Sequence, residues 1–191
     1  MTLSDELRKA EDSLWERMVT HPFVLELGEG TLPVEKFRRY FLQDYLFLKS
    51  LAKAVGMGVA KAPSLEAARP LSPFLETLVN AESALFFRAF QELDIPHEEY
   101  QKGQVLPTSL ALANFMLAVA HEGSFDQIVT TLLVTEWTYY DWATRLTQAG
   151  KRPPQRLYQE WIDIHASQEL GEFVEALKGH VDTAIPANAQ P

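Results

Sequence analysis

Three acids stand where their neighbours are aromatic or aliphatic: Asp44 inside FLQDYLFL, Glu82 between Leu78, Leu85 and Phe86, and Glu136 inside TEWTYYDWA. A carboxylate on an apolar helical face needs a partner or a ligand, because taking an isolated charge out of water is costly. For Asp44 two readings stand side by side, half of a buried ion pair that serves structure or the acid of a binding site. Helical spacing sets Phe41, Asp44, Phe47 and Leu48 on one face. An acid framed by aromatics suits a flat heteroaromatic ligand with an amine, held by stacking and one charged hydrogen bond. In TEWTYYDWA, Thr135 and Tyr139 stand four apart and Glu136 lies within one turn of Tyr139 and Tyr140. Trp137, Tyr140 and Trp142 also fit a packed core stripe, yet buried phenols require hydrogen-bond partners and are compatible with a polar cavity. A carboxylate desolvated in such a place can hold or take a proton near neutral pH, which is the chemistry of a general acid or base acting on water.

Other chemistries are excluded or disfavoured by composition. The 191 residues contain no cysteine, which removes disulfides, thiolate ligands and a thiol nucleophile together. The five histidines, His21, His97, His121, His165 and His180, are scattered without the paired spacing of a zinc site or the Glu-x-x-His repeats of a di-iron bundle, so no metal and no cofactor are expected. GEGTLP lacks the Lys and hydroxyl residue of a phosphate loop. With 17 Lys and Arg against 26 Asp and Glu, the net charge of -9 disfavours a nucleic-acid partner. The apolar stretches fall short of the roughly 20 residues that span a bilayer. The first residues are charged and periodic rather than signal-like, giving the expectation of a cytoplasmic protein.

The elements that must position these acids are helices, because apolar residues recur at helical intervals almost everywhere and strand-like alternation is nearly absent. A first helix is expected from an N-cap at Ser4 to Thr20, then a turn-rich connector with at most one short helical turn over HPFVLELGEGTLP. A long helix starts at Pro33 and runs towards Val59, weakened or bent by Gly56 and Gly58. Another follows Pro70 or Pro73 to Leu93 and is ended by Pro96, with HEEYQKGQVLPT as a loop. Pro107 opens the next, Gly123 and Ser124 separate it from FDQIVTTLLVTEWTYYDWATRLTQ, Pro153 and Pro154 start another, and a last helix spans Gln168 to His180. The expected architecture is an all-α multi-helix bundle in a single domain over residues 1–191, with 184–191 as a frayed tail.

The run HPFVLELGEGTLPVEKFRRYFLQDYLFLKSLAKAVG closely resembles the signature of the TenA family, also called thiaminase II-like proteins. The likeness continues through LPTSLALANFMLAVAHEGSFDQIVTTLLVTEWTYYDWATRL and YQEWIDIHASQELGEFVEAL. It implies a heme oxygenase-like bundle, a homo-oligomer (dimer or tetramer), and hydrolysis of a C–N bond in an aminopyrimidine during thiamin salvage. By the same resemblance Asp44 matches the acid set against the pyrimidine amine, and Tyr139 matches a tyrosine of the pocket. Phe47, Leu112 and His165 fall where relatives carry tyrosines, implying a drier pocket with different hydrogen bonding. Thr135 falls at the family's cysteine nucleophile, which makes this a member of a cysteine-less branch, in which Glu136 or Glu82 would supply acid and base chemistry. Relatives carry a further helix with a catalytic glutamate where this sequence reads AIPANAQP. Two other readings accompany the hydrolase: a bundle that binds a small heteroaromatic molecule without chemistry, and an oxidase of the same fold.

Overall fold

The computed structural model describes residues 1–184, and the expected tail beyond Ala184 lies outside the described residues. Those residues form twelve α-helices and one π-helical segment, with no strand among them. They group into two compact units, one of Met1–Leu32 with the chain from Val129 onward, the other Pro33–Ile128.

In the first unit, α1 (Leu3–Ala10) has its N-cap two residues earlier than expected, because Thr2 and Asp5 form a reciprocal capping box; Ser4 instead is buried, its amide donating to Asp182 at 2.7 Å. The expected single helix to Thr20 is broken at Glu11, which separates α1 from α2 (Asp12–Val19). The connector is itself largely helix, α3 (Pro22–Glu29). His21 Nδ1 accepts from the Phe23 amide, Pro22 occupies the first turn where its missing N–H costs nothing, and Gly30 ends the helix in the left-handed region at φ 70°. The glycines and prolines were start and stop signals of one more helix rather than marks of a turn.

The long α10 (Phe125–Gln148) closes with Gly150 at φ 70°, as its sequence predicts. Pro153 and Pro154 precede rather than start α11 (Arg156–His165), whose N-cap is Gln155, a residue that donates to the Gly30 carbonyl at 2.8 Å. The last helix, α12 (Gln168–Ala184), runs past His180. Leu27, Leu132, Trp161, Ile162, Val174 and Val181 form the heart of this unit's core. Each such burial stabilises by roughly 1.5–3 kcal/mol.

In the second unit α4 (Val34–Lys61) continues through Gly56 and Gly58 without a break. Gly58 is required by packing, since a Cβ there would lie 3.1 Å from Leu71 and 3.3 Å from Ile128. After the short α5 (Leu65–Ala68), the expected second long helix is α6 (Leu71–Thr77), a π-helical segment (Leu78–Glu82) and α7 (Ser83–Glu92) in direct succession. The presumed loop after Pro96 holds α8 (His97–Lys102), with Glu98 and Glu99 in its first turn and Lys102 in its last, charges that suit the helix dipole. Arg38 fixes it, reaching both Glu99 carboxylate oxygens at 3.1 Å and the Leu93 and Asp94 carbonyls. α9 (Pro107–Glu122) packs along α4, as do α6, α7 and the π segment.

Candidate active site

Within the second unit, α4 carries Asp44 and Phe47. Phe37 and Phe41 are fully buried and Tyr45 and Leu48 are buried beside them, so the core stripe of α4 runs through these four, while Asp44 and Phe47 are half-buried at its edge. The expected face of Phe41, Asp44, Phe47 and Leu48 therefore divides into a core part and an accessible part. Asp44 keeps a polar or charged interaction in its half-buried position. Glu82 is half-buried at the end of the π-helical segment. One-turn π segments inside helices recur at functional sites, and no glycine or proline within Leu78–Glu82 announces this one in the sequence. Leu112 lies on α9 and is 45% exposed.

The first unit brings the remaining residues together. Glu136 on α10 is only 5% exposed. The Thr135 hydroxyl lies 3.1 Å from Glu136 Oε1 and 2.9 Å from the Leu132 carbonyl, so its single proton has a carboxylate and a helical carbonyl within reach. Tyr139, one turn further, stacks on His165 of α11 with centroids 4.7 Å apart and planes at 28°. The sequence thus put a carboxylate, a hydroxyl and an aromatic on α10, and folding adds the imidazole.

A second face of α10 escaped the sequence reading. Asp141 accepts from Trp15 Nε1 at 2.6 Å and from Arg145 Nε at 2.7 Å, and Arg145 also grips both Glu16 carboxylate oxygens. The Arg145 hydrogen bond, ahead of its charge and those of Arg8, holds the Glu16 carboxyl below the usual carboxylate range although burial opposes this. Trp15 meets Trp137 edge-on at 4.9 Å, and Lys178 sits 3.9 Å over the Trp137 ring. The i, i+4, i+8 spacing of Trp137, Asp141 and Arg145 was visible in the sequence, but their partners on α2 and α12 were not. Among the described residues no group of three or more His, Asp or Glu is placed to hold a metal ion, and no helix is long and apolar enough to cross a membrane.

Comparison with known proteins gives this arrangement a context. The family model described as TENA/THI-4/PQQC family matches residues 8–189. An aminopyrimidine aminohydrolase of Helicobacter pylori is 32% identical over 170 residues, 89% of this chain and 78% of the relative. One of Bacillus subtilis is 31% identical over 175 residues, 92% of this chain and 73% of the relative. A solved TenA homologue from P. horikoshii superposes with a TM-score of 0.88 at 30% identity, covering 99% of this chain and 88% of that one.

Proposed function

Because the chain belongs to the TENA/THI-4/PQQC family, we propose that it is an aminopyrimidine aminohydrolase, acting in thiamin salvage on the C–N bond of an aminomethyl pyrimidine. Water replaces the amine: the C–N bond breaks, a C–O bond forms, and the products are the hydroxymethyl pyrimidine and ammonia. The observation that carries this reading is the buried Glu136 carboxylate with the Thr135 hydroxyl at 3.1 Å, beside the Tyr139–His165 stack. It supports a base held away from bulk water next to an aromatic surface.

The roles follow from group chemistry. In the second unit Asp44, half-buried, is suited to accept from a ring amine and Phe47 to stack on the ring, and in the first unit Tyr139 offers a flat surface of its own. Glu136 takes the proton of the attacking water, and an acid then protonates the departing amine. Glu82, at the end of the π-helical segment of the second unit, is a further half-buried carboxylate with the chemistry of an acid. Thr135, with helical carbonyls competing for its proton, orients the Glu136 carboxylate rather than attacking carbon. Leu112 contributes apolar surface where relatives carry a phenol, which favours a substrate with few polar substituents on that side. The same reading makes the protein a cytoplasmic homo-oligomer, a dimer or tetramer, which light scattering after size exclusion measures.

Steady-state assays with aminomethyl pyrimidine, its formylated form and thiamin test the proposal. Turnover of at least one, reduced about 100-fold or more in kcat/KM by Asp44→Ala, is the expected result. Saturable binding with no turnover of any of them would replace the hydrolase by a binding protein of the same fold.

A further inference from the structure

In the second unit the connection from α8 to α9 is laid on α4 at Gln43, the residue before Asp44. It runs from Gly103 to Leu106. Both ends are extended, Gly103 at φ −58° and ψ 147° and Leu106 at φ −65° and ψ 147°, as a residue before proline is bound to be. In extended backbone a carbonyl and the amide two residues on point to the same side. Gln43 meets such a pair with its one side-chain amide: Nε2 donates to the Gln104 carbonyl at 3.1 Å, and Oε1 accepts from the Leu106 amide at 2.8 Å. The orientation is forced, since a carbonyl only accepts and a backbone N–H only donates. Upstream, α8 is fixed separately, by Arg38 on Glu99 and by Tyr100 stacked on Phe90 with centroids 4.5 Å apart. Among the described residues the Gln43 pair makes the only hydrogen bonds that tie Gln104 and Leu106 to α4.

Gln43, Asp44 and Phe47 are all half-buried and stand outside the core stripe of Phe37, Phe41, Tyr45 and Leu48. Gln43 therefore spends its amide on the strap and adds little to the core. The strap crosses α4 beside Asp44 and within one turn of Phe47, the two α4 side chains assigned above to the ligand ring. We propose that Gly103–Leu106 forms a rim of that ligand site and that Gln43 is its positioning residue, holding the strap in the arrangement that binds. The assignment rests on the aminopyrimidine reading above. A ligand that needs the held strap binds more weakly in proportion as the held fraction falls, and two neutral hydrogen bonds suffice to change that fraction about tenfold.

Two variants of the full chain test this. Gln43→Met keeps the length of the side chain and removes both bonds. Lys61→Met is its counterpart at the far end of α9, where Lys61 Nζ donates to the His121 and Gly123 carbonyls at 2.7 and 2.9 Å, about 25 Å along α4 from Asp44. In steady-state turnover of aminomethyl aminopyrimidine, the expected result is a KM about tenfold higher in Gln43→Met with kcat within about twofold, while Lys61→Met leaves both within about twofold at a comparable fall in Tm. Amide hydrogen exchange on wild type needs no variant to fold: saturation with hydroxymethyl aminopyrimidine should slow exchange of the Leu106 amide. An unchanged KM in Gln43→Met, an equal rise in both variants, or a Leu106 amide whose exchange the bound ligand leaves unaltered makes Gln43 a loop anchor only and overturns the proposal alone. A wild type that neither binds nor turns over an aminopyrimidine overturns the functional reading and the proposal with it.

Discussion

On the proposed reading Thr135 and Glu136 divide a catalytic task between two adjacent side chains. A hydroxyl shared between a helical carbonyl and a carboxylate steadies the carboxylate, so Thr135→Val should lower kcat by about tenfold or less. Glu136→Gln should cost about 10²–10⁴ in kcat, the range of general acid–base catalysis. The two variants measured together decide the nucleophile: abolished activity in Thr135→Val would make Thr135 the attacking group. His165 gives a separate prediction for stability. With a pKa near 4 when folded against 6.5 ordinarily, it takes up its proton in the unfolded chain first as the pH falls. Its effect is therefore level above about pH 6.5, and stability is lost between about 6.5 and 4, by about 3 kcal/mol in total. Urea unfolding across that window should show this slope in wild type and its absence in His165→Phe, and equal slopes would contradict the assignment.

At the scale of elements, α10 is a helix with two jobs on two faces. Thr135, Glu136 and Tyr139 are proposed to carry the chemistry, while Trp137, Asp141 and Arg145 fix the helix to α2. Trp15→Phe keeps the ring packing but removes the indole donor, so it should lower stability by about 1–2 kcal/mol. If this face sets the angle at which Glu136 is presented, kcat will fall in Trp15→Phe while KM stays within about twofold; unchanged kcat would confine the lock to stability. Gly171 plays a quieter part. A Cβ at that position of α12 would lie 2.7 Å from the Tyr140 hydroxyl oxygen on α10, so Gly171→Ala should destabilise by about 1–2 kcal/mol despite its better helix propensity, as thermal unfolding can show.

What the sequence made legible at this scale follows from where the signals reside. α4, α9 and α10 announce themselves because their apolar periodicity is long and their ends carry Pro33, Pro107 and Gly150. The helix of Pro22–Glu29 was hidden because Gly28 resembles a turn residue but is needed for close packing on Leu146, at 2.6 Å from a would-be Cβ. No glycine or proline marks the π-helical Leu78–Glu82 or the break at Glu11. Asp44 and Glu136 stood out as acids among aromatics. The His165–Tyr139 stack joins residues 26 positions apart on two helices, a separation that no local pattern reports.

For the whole molecule, the all-α fold is shared with TenA homologues, and the cysteine-free composition excludes a thiol nucleophile. On the proposed reading, water displaces an amine from an aminopyrimidine. The most direct measurement is turnover of aminomethyl aminopyrimidine in ¹⁸O-labelled water, with mass analysis of the pyrimidine product and titration of ammonia. The expected result is a hydroxymethyl product carrying one labelled oxygen, matched mole for mole by ammonia, and no such product from Glu136→Gln on the same timescale. A product without label, ammonia without the alcohol, or full labelling and rate in Glu136→Gln would contradict it.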